Sequence, residues 1–219
     1  MATRKISFAS GEFYHLYNRG NSKQKIFFYK KDYEQFIKLL YICNSVKSQK
    51  TRDLGKDYYL YDRNETLVDV GAYCLMPNHF HILVKEKEEG GISKFMQKLS
   101  TAYVMYFNER YKRSGGLFEG KFKSEYVGND RYLKYIFSYI NLNPLKLIDK
   151  NWKENGFKNF SEVEKYLDRY KYSSFPDHLA KNRAESKILN LKVFPDYFPK
   201  PKDFLHEMRD WIKISDTDI

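Results

Sequence analysis

The chain has 219 residues, of which 42% are hydrophobic and 31% are charged, and its formal net charge is +11. This composition excludes a disordered chain, and no apolar run approaches the roughly 20 residues that span a bilayer, so we expect a cytoplasmic globular protein with no membrane partner. The positive charge is concentrated in residues 1–31, with seven basic residues against one acidic, and in residues 110–150, with nine against four. Such segregation favours a nucleic-acid partner, although a basic face kept for solubility is the alternative.

Apolar periodicity and turn signals predict seven elements in chain order. They are a strand at 12–18, a helix at 31–46, strands at 67–75 and 79–84, a helix at 92–107, a strand at 122–127 and a helix at 131–143. The stretch Gly128-Asn129-Asp130 caps the last helix, and Pro144 ends it because the residue before a proline avoids the α region. An aromatic patch at 58–61 is predicted to begin an irregular strand.

This order of elements predicts an α+β fold of the ferredoxin-like, split βαβ type. In that fold an antiparallel sheet carries helices on one face, and here the helix at 131–143 is appended to it. Residues 1–150 contain these elements and form the predicted main domain, and residues 151–219 form a helical and irregular C-terminal extension whose expected role is packing. Cys43 and Cys74 have no disulfide or zinc spacing, so we expect them to be buried thiols.

The strand at 79–84 carries two histidines separated by one residue. Successive side chains of a strand face opposite ways, so Phe80, Ile82 and Val84 can enter a core while His79 and His81 share the other face. Two imidazoles in this arrangement are half of a metal site. The alternative is a pair of histidines on a half-buried sheet face.

The last predicted helix carries three tyrosines and an asparagine near its end. Its packing stripe consists of Leu133, Ile136, Phe137 and Ile140. Among Tyr132, Tyr135 and Tyr139, only Tyr139 has a metal-capable side chain, Asn143, four residues later, where helical side chains are neighbours. This helix can therefore carry a nucleophile and a metal ligand together, although a tyrosine on a helix flank is more often structural.

Four ordered motifs make the chain resemble the single-tyrosine HUH transposases, and within them the REP-associated tyrosine transposases, which are relatives of insertion-sequence transposases. The motifs are Leu75-Met76-Pro77-Asn78-His79-Phe80-His81-Ile82-Leu83-Val84, Gly91-Ile92-Ser93-Lys94-Phe95-Met96-Gln97, Gly120-Lys121-Phe122-Lys123-Ser124 and Tyr139-Ile140-Asn141-Leu142-Asn143-Pro144. The resemblance runs from about Phe13 to Pro144. The sequence departs from the family after Pro144, where Leu145-Lys146-Leu147 replaces a turn of small residues and glycine.

The resemblance implies a ferredoxin-like domain that cuts and rejoins single-stranded DNA near hairpins. By position, His79 and His81 match the paired metal ligands, Tyr139 matches the nucleophile and Asn143 matches the third ligand, where insertion-sequence relatives usually have glutamine. The implied cofactor is Mg²⁺ or Mn²⁺, which would polarise the scissile phosphate. Attack by Tyr139 would leave a 5′-phosphotyrosine and a free 3′-OH, and rejoining would need no ATP.

Three basic residues are predicted to lie nearest the DNA backbone: Arg19 from the loop after the first strand, and Lys121 and Lys123 from the strand at 122–127. Solubilising surface charge is the alternative for all three. The remaining histidines, His15, His178 and His206, have no partner in the sequence and are predicted to be structural.

Two other functions remain open from the sequence. A replication-initiator or relaxase-type nickase would use the same histidine pair and tyrosine on a plasmid or viral origin. A catalytically silent, sequence-specific DNA-binding protein would keep the basic surface alone. A zinc hydrolase is disfavoured, because no second cluster of ligands at helical spacing accompanies the histidine strand. The sequence leaves open whether a homodimer completes the site.

Overall fold

The computed structural model describes residues 8–47, 54–55 and 57–213. Its centre is a four-stranded antiparallel sheet in the order β2-β3-β1-β4. The strands are β1 (Phe13–Arg19), β2 (Val68–Met76), β3 (His79–Glu86) and β4 (Lys123–Tyr126). The fold class predicted from the sequence, α+β with an antiparallel sheet of the ferredoxin-like type, is confirmed.

One face of the sheet is covered by two helices, α1 (Lys30–Ile42) and α2 (Gly91–Arg110). Phe80, Ile82 and Val84 point to this face and are completely buried, as the alternation of β3 predicts. Asp32 connects the two helices. Its carboxylate accepts hydrogen bonds from the backbone N–H groups of Phe28 and Tyr29, just before α1, and forms an ion pair with Arg110 at the end of α2. This face is a closed, aromatic-rich core.

The opposite face of the sheet is covered by α3 (Asp130–Leu142). The stripe predicted for this helix packs on apolar side chains of β2 and on Leu83 of β3. The Asn129 side chain caps α3 by accepting a hydrogen bond from the backbone N–H of Tyr132, at 2.8 Å. The appended helix therefore lies across the sheet from α1 and α2.

The C-terminal part of the chain contains α4 (Trp152–Asn155), α5 (Phe160–Arg169), α6 (Phe175–His178) and α7 (Pro201–Lys213). It covers the outer edge of β2, where the Ser174 backbone N–H donates to the Tyr73 carbonyl and the Tyr170 hydroxyl donates to the Leu75 carbonyl. Its apolar side chains also share a core cluster with Leu142 and Leu145 at the end of α3. A division of the chain at residue 150 stays a prediction.

Two predicted elements differ from the structure. The patch at 58–61 is not a strand but a 3₁₀ turn, Tyr58–Leu60, because the Tyr41 hydroxyl rather than a neighbouring strand binds the Tyr61 carbonyl, at 2.9 Å. Helix α1 ends at Ile42 instead of 46, because the Asn44 side chain exchanges two hydrogen bonds with the backbone of Val68 and directs the chain towards β2.

Within the described residues, none of the helices has the length and apolar character needed to cross a membrane. Both cysteines are buried and free, as predicted.

Candidate active site

A cleft of about 340 Å³ opens between the β1–β3 side of the sheet and α3. We call it the histidine cleft. Its lining comprises Tyr17, Asn18, Arg19, Lys23, Asn78, His79, His81, Glu119, Lys123 and Tyr139. The ring centroids of His81 and Tyr139 are 5.3 Å apart, and those of His79 and His81 are 5.0 Å apart. The structure therefore brings the predicted nucleophile and both predicted histidine ligands into one cleft. A larger cavity of about 540 Å³ lies away from it, beneath the C-terminal extension.

The pairing of β1 with β3 explains why this side of the sheet is polar. Tyr17 stands opposite His81 and Arg19 stands opposite His79, so these side chains share one face. On the other side of β3, Cys74 and Met76 of β2 stand opposite His81 and His79. The polar positions thus occur where the end of β1 meets the beginning of β3.

The orientation of His79 is fixed by Asn78. The amide nitrogen of Asn78 donates to the Lys23 carbonyl at 3.3 Å, so its oxygen is the atom that lies 2.7 Å from His79 Nδ1. Nδ1 must then carry the proton, which leaves the Nε2 lone pair available. Burial, followed by the charge of Lys146, lowers the pKa of His79 to about 4. The ring is therefore neutral near pH 7, which is the form that binds a metal.

His81 is more deeply buried than His79, with 6% of its surface exposed. Burial and then the neighbouring His15 lower its pKa well below the ordinary value, so it too is neutral. His15 Nε2 lies 2.9 Å from His81 Nδ1. The sequence indicated no partner for His15, and the structure provides one. Period-two alternation of β1 places it on the cleft face, but only the strand register shows that it reaches His81.

The other two histidines are placed as the sequence predicts. His178 stacks on Phe204 with ring centroids 4.8 Å apart, and His206 is exposed beside Asp210.

Asn143 follows α3 directly and begins a 3₁₀ turn, Asn143–Leu147. Its side chain is buried, with 1% of the residue exposed, and neither its amide oxygen nor its amide nitrogen has a hydrogen-bond partner in the described part of the chain. The amide lies close enough to His79 to oppose part of the fall in its pKa. A buried amide left without partners costs about 1–3 kcal/mol, so this position has a reason to receive a ligand.

These three side chains fit a divalent metal. Two neutral imidazoles suit first-row divalent metals, and the unpartnered amide oxygen of Asn143 suits Mg²⁺ or Mn²⁺. The described residues contain no group of three or more His, Cys, Asp or Glu side chains that could hold a metal by themselves. Because His79, His81 and Asn143 are three ligands, such a site would leave coordination positions for water or for oxygens of a substrate.

Tyr139 differs from the other tyrosines near the cleft. The hydroxyls of Tyr17 and Tyr132 both donate to the Glu125 carboxylate, and burial together with that carboxylate raises the pKa of each to about 12. The Tyr135 ring packs against Trp211. Among the described residues, nothing forms a hydrogen bond with the Tyr139 hydroxyl. Tyr139 is thus the tyrosine of the cleft whose oxygen is uncommitted.

Two lysines approach the ring of Tyr139, and the sequence did not single out either. Lys146 Nζ lies 5.1 Å from the ring centroid and Lys153 Nζ lies 5.9 Å from it. Lys146 belongs to the Leu145-Lys146-Leu147 segment, where the sequence departs from the family. The 3₁₀ turn that begins at Asn143 brings this segment back to the site. The sequence difference therefore places the positive charge of Lys146 beside the predicted nucleophile.

The three predicted DNA-contacting residues are placed differently. Arg19 ends β1 rather than lying in a loop, and it forms an ion pair with Glu119 in the wall of the cleft. Lys123 begins β4 and also lines the cleft, together with Lys23, which the sequence did not indicate. Lys121 precedes β4 and is exposed outside this lining. DNA contact by these residues stays a prediction.

Comparison with known proteins supports the resemblance. Residues 61–143 match the family model described as "Transposase IS200 like", a segment that begins before β2 and ends at Asn143. No curated protein matches the chain. A solved structure of the REP-associated tyrosine transposase bound to a REP hairpin matches with a TM-score of 0.53 and 13% identity, covering 83% of this chain and 87% of that chain. At that identity the likeness shows the fold. The predicted resemblance to the insertion-sequence transposases is thus confirmed over residues 61–143, and the likeness to the REP-associated transposase is one of fold.

Proposed function

We propose that this chain, whose residues 61–143 match the IS200-like transposases, is a metal-dependent transposase that nicks and transfers single-stranded DNA through a 5′-phosphotyrosine. The observation that carries the proposal is the placement of Tyr139 in one cleft with His79 and His81, its ring centroid 5.3 Å from that of His81. The similar structure is bound to a hairpin, so we expect DNA that contains a hairpin to be the substrate. We expect the protein to act in the cytoplasm.

The proposed reaction combines a bound metal ion with the nucleophile Tyr139. Mg²⁺ or Mn²⁺ held by His79, His81 and Asn143 would supply a Lewis acid for the scissile phosphate. The Tyr139 hydroxyl loses its proton as its oxygen attacks phosphorus, the bond from phosphorus to the 3′ oxygen breaks, and the departing 3′ oxygen takes up a proton, so no net proton is gained or lost. The new phosphotyrosine keeps the energy of the phosphodiester, so a second 3′-OH can reverse the step.

The basic side chains of the cleft suit the charge of the substrate. Lys146 and Lys153 place positive charge over the Tyr139 ring, where the negative scissile phosphate must approach. Lys23 and Lys123 lie on the walls. Arg19 is held by Glu119 and would contact a DNA phosphate only by sharing or exchanging that partner.

Labelled oligonucleotides with and without a hairpin, incubated with Mg²⁺ or Mn²⁺ and run on a denaturing gel, test the proposal. Wild type should form a covalent adduct with the 5′ end of the fragment that lies downstream of the nick. Tyr139→Phe should form none, and the matched variant Tyr135→Phe should behave as wild type. An adduct that persists in Tyr139→Phe would exclude Tyr139 as the nucleophile. Tight DNA binding without any adduct in wild type would favour the DNA-binding alternative.

A further inference from the structure

A chain of three side chains runs from the rim of the sheet to the predicted metal site. Glu125 on β4 has an Oε2 atom 3.7 Å from His15 Nδ1, and His15 Nε2 lies 2.9 Å from His81 Nδ1. His15 and His81 are both buried, with 4% and 6% of their surfaces exposed. The centroids of the two imidazole rings are 5.0 Å apart and their planes differ by 26°, so the rings meet edge to edge. The sequence separates these residues by more than forty positions, so only the sheet brings them into line.

Charge at the rim decides where the protons of this chain lie. His15 Nδ1 is shut off from solvent, forms no hydrogen bond in the described residues, and faces the Glu125 carboxylate. A lone pair on Nδ1 would be repelled by that carboxylate, whereas an N–H is attracted to it. A neutral His15 therefore carries its proton on Nδ1 and accepts through Nε2. His81 must then donate from Nδ1, which leaves its Nε2 lone pair unprotonated.

We propose that Glu125 and His15 are positioning residues that fix His81 in the tautomer able to bind a divalent metal through Nε2. Asn78 does the same for His79 with a single hydrogen bond. Each of the two predicted histidine ligands thus has its Nδ1 atom hydrogen-bonded to a partner and its Nε2 atom available for a metal. An outer partner of this kind orients the ring and makes the ligand more basic.

Glu125 is itself held in place for this role. It accepts hydrogen bonds from the Tyr17 hydroxyl at 2.8 Å and from the Tyr132 hydroxyl at 3.1 Å. His15, and then these hydroxyls, hold the pKa of Glu125 at about 2, so the carboxylate is ionised at any working pH. Tyr17 and Tyr132 therefore act on the site as anchors for Glu125, since their own protons are committed to it.

The tautomer is measured directly by two-bond ¹H–¹⁵N correlation of the histidine rings in the DNA-free, metal-free protein near neutral pH. We expect His15 and His81 both to carry the proton on Nδ1. A His81 ring protonated on Nε2, with His15 either neutral or doubly protonated, would overturn the proposal.

The effect of the tautomer on metal affinity is measured by titrating Mn²⁺ into the DNA-free protein and following free Mn²⁺ by electron paramagnetic resonance. In Glu125→Gln an amide N–H can face His15 Nδ1 and reverse the order of the protons, so affinity should fall about 10- to 100-fold. Glu12→Gln is the matched control, because Glu12 also accepts from a tyrosine hydroxyl, that of Tyr126, and the same charge is lost. An equal fall in both variants would show an effect of net charge and contradict the proposal.

A second pair of variants separates proton order from packing. His15→Gln keeps an acceptor for His81 Nδ1, and its Mn²⁺ affinity should remain near that of wild type, whereas His15→Leu should lose about tenfold or more. Equal affinities in the two variants would overturn the role of His15. This inference rests on the proposed function only for the identity of the site. Normal Mn²⁺ binding without a DNA adduct would refute the function alone, and an adduct with unchanged affinity in Glu125→Gln would refute the positioning role alone.

Discussion

The two faces of the sheet are built from the same strands but have different uses. On the α1–α2 face, Phe80 and Ile82 are completely buried and contribute to an uninterrupted apolar core. On the α3 face, the residues that alternate with them in sequence, His79 and His81, line an open cleft with Tyr139. Because the side-chain period of a strand is two, neighbouring residues, separated by a rise of about 3.4 Å along the strand, can serve separate purposes. Stability and chemistry should therefore respond to different substitutions in one strand.

The largest effect on stability is expected for Phe80→Ala on the closed face. Removing a fully buried phenylalanine should lower the free energy of unfolding by about 3–5 kcal/mol, measured by urea denaturation. Molecules that remain folded should still bind Mn²⁺ like wild type. A loss of Mn²⁺ affinity per folded molecule would show that the two faces are not separable.

The next largest effect is the pH dependence of stability that His178, a buried histidine outside the cleft, should cause. Burial lowers the pKa of His178 to about 4 in the folded protein, whereas the unfolded chain takes up the proton near the ordinary value of 6.5. Its contribution to stability is therefore complete above that ordinary value and is lost as the pH falls towards 4, by about 3 kcal/mol.

His178→Phe keeps a ring beside Phe204 and should remove this part of the acid destabilisation, as measured by urea denaturation at several pH values. His206→Gln removes an exposed histidine and is the control. Identical pH profiles for wild type and His178→Phe would contradict the assignment.

On the cleft face, His79→Ala should reduce the rate of adduct formation about 100-fold, because a metal ligand is lost while no apolar core is disturbed. The free energy of unfolding of the metal-free protein should change little. Single-turnover assays with excess protein give the rate. A His79→Ala protein that is as active as wild type, or that fails to fold, would contradict the claim that the cleft face serves the reaction and the α1–α2 face serves stability.

A smaller effect is expected for Lys146→Gln. Removing the positive charge beside the Tyr139 ring should slow adduct formation roughly tenfold, because that charge faces the approaching phosphate. Exposed Lys121→Gln, which lies outside the lining of the cleft, is the comparison and should change the rate less. Equal effects of the two substitutions would mean that Lys146 contributes only to the overall charge.

The periodicity of single strands and helices predicted the histidine pair, Tyr139 and Asn143. It could not predict the contacts of His15 and Lys146, which depend on how separate elements are placed. The alternation of β3 predicted which side chains enter the core, and the helical spacing of Tyr139 and Asn143 predicted that they share a flank. The partner of His15 was missed because its contact with His81 depends on the register between two strands that are far apart in sequence. Lys146 was missed because its position depends on the 3₁₀ turn that follows α3, and a proline after a helix does not define the path beyond it.

The central claim is that Tyr139 is the nucleophile of a metal site formed by His79, His81 and Asn143. It is tested most directly by trapping the covalent adduct with a hairpin-containing oligonucleotide, digesting the protein and locating the nucleotide by mass spectrometry. We predict that the modification lies on Tyr139 and requires Mg²⁺ or Mn²⁺. Modification of Tyr17, Tyr132 or Tyr135 instead, or an adduct that forms equally well in the presence of a chelator, would contradict the claim.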